Sequence, residues 1–208
     1  MSQEKVIVWF RNDLRISDNP ALDHAIKKGK IVPIYILDEH DAAEFKMGKS
    51  SIWWLYQSLK SLWANLDNKL QFFKGSSEKI IKNILKESGA TTICWNICYE
   101  PWALKRDEQI EKDLQKLGID VQKFNGSLLW DPEKIVKADG NPYKVFTPFY
   151  KNGCLKAPAP REIINASHKV DFFTKKLGIK LEELDLLDTK TDEALSKYWE
   201  PGEKEAVK

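Results

Sequence analysis

The feature that most constrains the fold is a regular alternation of short apolar segments with amphipathic segments over about the first 125 residues. The apolar segments are rich in β-branched or aromatic side chains, which is typical of strands buried in a sheet. The predicted strands are Val6–Phe10, Ile31–Leu37, Leu70–Lys74, Thr91–Trp95 and Asp120–Phe124.

Four amphipathic segments separate these strands. The first begins at Asn19-Pro20, a helix cap followed by proline in the first turn, and ends at Gly29. The second runs from about Ser51 to Lys69, and the others cover residues 78–89 and 105–118. Strand, helix, strand units pair in parallel through crossovers. The chain is therefore predicted to be an α/β protein, a Rossmann-like open five-stranded parallel sheet with helices on both faces.

The alternation stops at Gly126, where turn residues, aromatics and prolines replace it. Weak helical patterning returns only in the last forty or so residues. We therefore predict an α/β domain over residues 1–130 and an irregular C-terminal extension and linker over residues 131–208.

Composition excludes several classes of protein. Lys and Arg total 33 against 31 Asp and Glu, so the chain lacks the strong basic bias of a nucleic-acid-binding module. The three cysteines lack the paired spacing of a zinc site, and no metal site is predicted. With no signal peptide and no membrane-length apolar run, a cytoplasmic location is expected.

Candidate binding residues follow the predicted strands, because ligands of open α/β sheets bind outside the carboxyl ends of the strands. Arg11, Asp13 and Arg15 alternate in charge after the first predicted strand, Val6–Phe10. They could clamp a phosphate or a heteroaromatic amide, or form a solvated loop with internal ion pairs. Glu100, held before Pro101, could accept a hydrogen bond from a ring N–H or be an ordinary surface carboxylate.

Other catalytic signatures are missing from the sequence. It has neither the GxGxxG dinucleotide fingerprint nor a GxxxxGK[ST] phosphate loop. The scattered histidines have no Ser or Cys partner at a recognisable elbow, so no catalytic residue is predicted. Most of the eight tryptophans are interpreted as core residues.

Several segments together resemble the DNA photolyase/cryptochrome family. Residues 6–22 are similar to the family's opening strand and loop, W-F-R-x-D-L-R-x-x-D-N-x-A-L. Further similarity lies in Trp53-Trp54-Leu55, in Tyr99-Glu100-Pro101 and in residues 140–149, GNPYKVFTPF. Trp199-x-Pro-Gly-Glu203 resembles the family's entry into its helical domain.

The resemblance implies a light-harvesting role. Photolyases use excited reduced FAD to split pyrimidine dimers in DNA, and a C-terminal helical domain, which this sequence lacks, holds the FAD and the DNA. The α/β domain of the family binds an antenna chromophore and passes its energy to the FAD. By this resemblance the helical domain is a partner in cis, damaged DNA is reached only through it, and no membrane is involved. The implied antenna residues are Phe10, Arg11, Asp13, Ile36, Leu37, Asp38, Met47, Ser51 and Glu100.

Two departures from the family bear on the antenna. Folate-binding members have an Asn-Glu pair where this chain has Trp102 and Ala103, and a related group has Arg where this chain has Ile52. A deazaflavin or FMN is therefore favoured over methenyltetrahydrofolate. Two other functions stay open: a cryptochrome photoreceptor domain, and a stand-alone nucleotide-binding module without catalysis.

Overall fold

The structure is a computed structural model that describes residues 3–38, 47–165 and 169–206. The predicted alternation of five strands and four helices is confirmed, and every strand pairing is parallel, in the order β3-β2-β1-β4-β5. The strands are β1 (Lys5–Phe10), β2 (Lys30–Leu37), β3 (Gln71–Lys74), β4 (Thr92–Asn96) and β5 (Asp120–Phe124). The helices between them are α1 (Pro20–Lys28), α2 (Lys49–Asn65), α3 (Ser77–Ser88) and α4 (Pro101–Lys116).

The helix boundaries follow local chemistry. The Asn19 side chain caps α1 by accepting a hydrogen bond from the Leu22 amide, and Pro20 takes the first helical position. Helix α2 ends at Asn65, earlier than the predicted Lys69, because Asp67 and Asn68 adopt left-handed φ angles of 50° and 59°. Helix α4 begins at Pro101, earlier than predicted, since a proline fits the first turn of a helix.

Two apolar layers enclose the sheet. Side chains of α1 and α2, including Leu22 and Leu59, pack on one face. Side chains of α3 and α4, including Ile81 and Ile110, pack on the other. Helices thus cover both faces. The strands have the buried character predicted for them, except at the two edges of the sheet, where β5 and the second half of β3 are partly exposed.

The predicted extension has two parts with different packing. Residues 126–165 form turns and short helical segments, among them α5 (Phe146–Pro148), with exposed Val145, Phe146 and Tyr150. Residues 169–188 return to the sheet, where Phe172 bridges to Ile31, and Ile179 bridges to Phe72. The buried side chains that this returning segment adds to the α1/α2 layer are Phe172, Leu181, Leu184 and Leu186.

Two short helices, α6 (Thr189–Leu195) and α7 (Glu203–Ala206), lie close to α2. Asp192 of α6 accepts hydrogen bonds from Trp53 Nε1 at 2.7 Å and from Gln57 at 2.9 Å. Glu203 of α7 accepts hydrogen bonds from the backbone amides of Ile16 and Ser17, both at 2.8 Å. The C-terminal part of the chain is therefore attached to the β1–α1 loop. None of the helices in the described ranges is long and apolar enough to cross a membrane.

Candidate functional site

A cavity of about 600 Å³ lies at the carboxyl ends of β1, β2 and β4. From β1 the chain continues to β2 and β3 on one side of the sheet, and from the neighbouring β4 it continues to β5 on the other side, so the strand order reverses between β1 and β4. Open α/β sheets bind ligands at such a reversal. The residues that line the cavity are Trp9, Arg11, Asn12, Tyr35, Ile36, Leu37, Asp38, Met47, Leu55, Cys98, Glu100, Pro101, Trp102 and Arg106.

Six of the nine predicted antenna residues line this cavity: Arg11, Ile36, Leu37, Asp38, Met47 and Glu100. The other three do not. Phe10 is fully buried in the α1/α2 layer, on the opposite face of β1 from Trp9 and Arg11. Ser51 is an exposed residue in the first turn of α2.

Asp13 is also absent from the cavity lining, because its carboxylate serves the packing of the β1–α1 loop. It accepts hydrogen bonds from the Arg11 amide at 2.9 Å and from Asn19 Nδ2 at 3.3 Å, as well as from Asn96 Nδ2. Asn96 also donates to Asn19 Oδ1 at 2.8 Å. Every member of this network is buried, so Asp13 is a structural residue of the loop.

Arg15 likewise braces the loop. Its guanidinium donates to the carbonyl oxygens of Ser17 at 3.1 Å, Asp18 at 2.9 Å and Gly126 at 2.6 Å. The alternating charges of residues 11–15 are therefore held by hydrogen bonds within the protein, and of the three side chains only Arg11 lines the cavity. They make buried and half-buried hydrogen bonds that fix the loop beside the cavity.

The base of the cavity holds an ion triad in which Arg11 and Asp107 are buried and Arg106 is partly buried. Arg11 donates to one carboxylate oxygen of Asp107 and also to the Asn96 carbonyl. Arg106 donates to the other oxygen of Asp107, at 3.0 Å from Nε and 2.9 Å from Nη2. Two guanidinium groups thus share one carboxylate, which leaves the triad with a net positive charge. Sharing a carboxylate also fixes both side chains in orientation.

The two arginines of the triad pack against Trp9, which was not among the predicted antenna residues. The Arg11 and Arg106 guanidinium carbons lie 4.6 Å and 4.9 Å from the Trp9 ring centroid, and the Trp95 ring meets Trp9 edge-on at 5.7 Å. Arg106 also lies 5.1 Å from the Trp102 ring. These cation–π contacts give the cavity a rigid aromatic base.

The rim of the cavity carries two carboxylates. Asp38 accepts a hydrogen bond at 2.8 Å from the Ser77 amide, at the N-terminus of α3, where the helix dipole favours negative charge. Glu100 stands at the N-terminus of α4 and accepts a hydrogen bond from Asn12 Nδ2 at 3.2 Å. Residues 39–46, the middle of the predicted loop after β2, lie outside the described residues.

Apolar and aromatic side chains form most of the remaining lining: Tyr35, Ile36, Leu37, Met47, Leu55 and Trp102. Such a lining, with a few polar groups at fixed positions, is characteristic of sites for small organic molecules and cofactors. The Cys98 thiol, also in the lining, has a pKa raised by burial, so it is protonated at neutral pH and is a poor nucleophile. Within the described part of the chain, no cluster of side chains could hold a metal ion.

Comparison with known proteins gives consistent matches. The family described as DNA photolyase matches residues 6–165. A deoxyribodipyrimidine photo-lyase of Agrobacterium fabrum is 35% identical over 210 residues, which cover 97% of this chain and 43% of the relative. Cryptochrome-2 of Arabidopsis thaliana is 32% identical over 218 residues, covering 96% of this chain and 34% of the relative.

A solved structure shares the fold. The crystal structure of a bacterial class III photolyase from Agrobacterium tumefaciens superposes with a TM-score of 0.90 and 32% sequence identity, over 100% of this chain and 44% of that one. The chain therefore spans less than half the length of these relatives.

Proposed function

The chain belongs to the DNA photolyase family, and from this premise we propose that it is the antenna-chromophore-binding domain of a deoxyribodipyrimidine photolyase. The observation that carries the proposal is the cavity at the carboxyl ends of β1, β2 and β4, with its aromatic base and two rim carboxylates. In this proposal the cavity binds the antenna, and light-driven repair of pyrimidine dimers belongs to the FAD-binding helical domain.

The lining suits a fused heteroaromatic ring. Trp102 and the apolar side chains of β2 offer flat and apolar contact area, and Arg106 faces the same space with a cationic plane. Glu100 and Asp38 supply acceptors at the rim for ring N–H or ribityl hydroxyl donors. A cavity of about 600 Å³ has room for a tricyclic ring system with its side chain.

A deazaflavin or FMN is favoured over methenyltetrahydrofolate. The positions of the folate-contacting Asn-Glu pair are Trp102 and Ala103 here, and Ala103 is only 1% exposed, on the buried face of α4. Neither side chain can accept a hydrogen bond from a pterin ring. The proposed ligand therefore has a flavin-type ring.

The proposed partner is a helical FAD-binding domain in cis, through which damaged DNA is reached. Support comes from apolar side chains of residues 143–155 that are exposed in this chain, among them Phe146 at 72% and Tyr150 at 46%. A contiguous apolar surface of this kind is typical of an interface.

A cryptochrome photoreceptor is the second candidate, favoured by the identity to Arabidopsis cryptochrome-2.

The test is the absorption spectrum of the chain purified from its native host, recorded before and after release of the chromophore by denaturation. We expect a bound deazaflavin or flavin, identified by the spectrum and mass of the released compound. A released folate would overturn the choice of ring, and the absence of any chromophore, together with no uptake of added FMN or deazaflavin, would overturn the antenna proposal. Repair of dimers by the protein joined to its helical domain separates a photolyase from a cryptochrome.

A further inference from the structure

A second cavity, of about 450 Å³, lies at the opposite end of the sheet from the first. One side is the turn between α2 and β3, with residues 68–70, and the other is part of the returning segment, with residues 173–176 and 178–182. Strand β3 begins at its base with Gln71 and Phe72. We call this cavity the β3 groove.

The walls of the β3 groove are held firmly to the sheet. The Gln71 side chain, in a residue only 9% exposed, donates to the Lys175 carbonyl at 3.2 Å and accepts from the amides of Leu177 at 2.6 Å and Gly178 at 3.2 Å. A Cβ on Gly178 would lie 2.5 Å from the Phe72 carbonyl oxygen, so only glycine allows this close approach. The groove is therefore a preformed feature of the fold.

The rims of the groove are positively charged. Lys69 stands on one rim, and Lys176 and Lys180 stand on the other. Among the described residues, none of these three ammonium groups has a carboxylate within ion-pair distance, whereas Lys175 is paired with Glu87 at 2.7 Å. Glu182 is the one carboxylate in the described lining, so the groove carries an excess of positive charge.

Aromatic surface lies beside these cations. Trp63, on the exposed side of α2, is 37% exposed and lines the groove. Phe173 lines the groove from the returning segment, and Lys5 Nζ stands 5.6 Å from its ring centroid. Aromatic faces stack on bases, and unpaired lysines bind phosphates as point charges.

We infer that the β3 groove is a binding site for an aromatic mononucleotide, a nucleoside mono- or diphosphate. Its base stacks on Trp63 and its phosphates contact Lys69, Lys176 and Lys180. The volume of about 450 Å³ matches a single nucleotide and is too small for an extended single-stranded nucleic acid. This site is separate from the antenna cavity and does not depend on the antenna proposal.

The experiment is calorimetric titration of the purified chain with ADP in magnesium-free buffer. We expect binding with a dissociation constant below about 1 mM, which weakens as NaCl is raised, because exposed charges are screened by salt. The double variant Lys176→Glu/Lys180→Glu should raise the dissociation constant at least tenfold, roughly the effect of losing one charge-assisted contact. Trp63→Leu should weaken the binding of ADP and of adenosine alike, while the binding of inorganic pyrophosphate stays unaffected.

A matched control keeps the test specific. Lys79→Glu/Lys105→Glu makes the same change in charge at exposed positions of α3 and α4 outside the groove, and should leave ADP binding unchanged. Thermal melts check that each variant is folded. Three results would each overturn the inference. The first is no heat of binding at 1 mM ADP, and the second is equal weakening of ADP binding by both double variants. The third is tighter binding of a dT hexamer than of ADP at equal salt.

Discussion

Asp107 of α4 forms a buried ion pair with Arg11, which follows β1 and lies 96 positions earlier in the chain. The pair links the segment that follows β1 to the helix that follows the neighbouring strand β4, beneath the cavity at the carboxyl ends of these strands. Arg106 binds the other oxygen of the same carboxylate, so both cationic side chains of the cavity depend on one residue.

Replacing Asp107 should therefore destabilise the fold. In Asp107→Asn the buried Arg11 guanidinium loses its counter-charge in a site where Asp107 is only 5% exposed. Removing one partner of a buried ion pair lowers the free energy of unfolding by about 3–5 kcal/mol, because the other charge stays buried without its partner. Urea denaturation followed by circular dichroism measures this loss. Asp113→Asn serves as control, because this half-buried carboxylate of the same helix pairs with the more exposed Lys82 and Lys116. Equal midpoints for the two variants would contradict the role given to the triad.

The segment of residues 126–165 should be the least protected part of the chain. It has exposed aromatic side chains and few buried ones, whereas Phe172, Leu181 and Leu184 of the returning segment are buried in the core. Local opening is easiest where few apolar contacts are buried. Hydrogen exchange measured by mass spectrometry should be fast over 126–165 and slow over 171–186. Uniform protection across both segments would be evidence against this division.

Acid should release the 161–164 segment from the β1–α1 loop. The Arg161 guanidinium donates to Asp18 and lowers the pKa of that carboxyl, and the Ile164 amide, 3.1 Å away, contributes in the same direction. Because the folded-state pKa lies below the unfolded value of about 4, the stabilisation is complete above that pH and is lost as pH falls through the folded-state pKa. Exchange of the 161–164 amides, corrected for intrinsic rates, should rise below about pH 4 in wild type. In Asp18→Asn they should be fast already at neutral pH. An acid-induced rise as large in Asp18→Asn as in wild type would rule out Asp18 as the cause.

The chain alone should not repair DNA. If FAD and the dimer are bound by a helical domain outside this sequence, blue light will leave dimers intact in the presence of the chain, FAD and a reductant. The measurement is chromatographic analysis of an oligonucleotide with one cyclobutane dimer, with a complete photolyase as positive control. Light-dependent repair by this chain without another protein would show that the proposed division between domains is wrong.

The sheet was predictable because its signals are local. Runs of β-branched residues, the Asn19-Pro20 cap and the glycine stops each act within a few residues. The packing of the returning segment was not predicted, because contacts between distant positions of the chain determine it. The burial of Phe172 and Leu184 depends on the chain returning to β2 and β3, which no periodicity in residues 126–208 indicates.

The cavity was predictable in position but only partly in composition. Strand ends and family resemblance selected Arg11, yet Trp9 was missed and Phe10 was chosen, although residues two apart in a strand share a face. That alternation was the available signal for Trp9. Asp107 and Arg106 had no comparable signal, because their contacts with Arg11 and Trp9 join distant positions of the chain.

Of the eight tryptophans only Trp9, Trp53 and Trp95 are fully buried in the described core, so the interpretation of most as core residues was wrong.

The central claim, that the cavity binds a flavin-type antenna through its rim, is tested most directly by titrating wild type, Glu100→Ala and Glu108→Ala with FMN and with a deazaflavin. Glu108 is an exposed carboxylate of the same helix outside the cavity, so its variant controls for the loss of charge. Losing a charge-assisted hydrogen bond costs roughly 1.5–3 kcal/mol, so Glu100→Ala should raise the dissociation constant about 10- to 150-fold with an unchanged melting temperature. Glu108→Ala should bind as wild type does. Equal affinities and equal melting temperatures for all three proteins would contradict the account and remove Glu100 from the site.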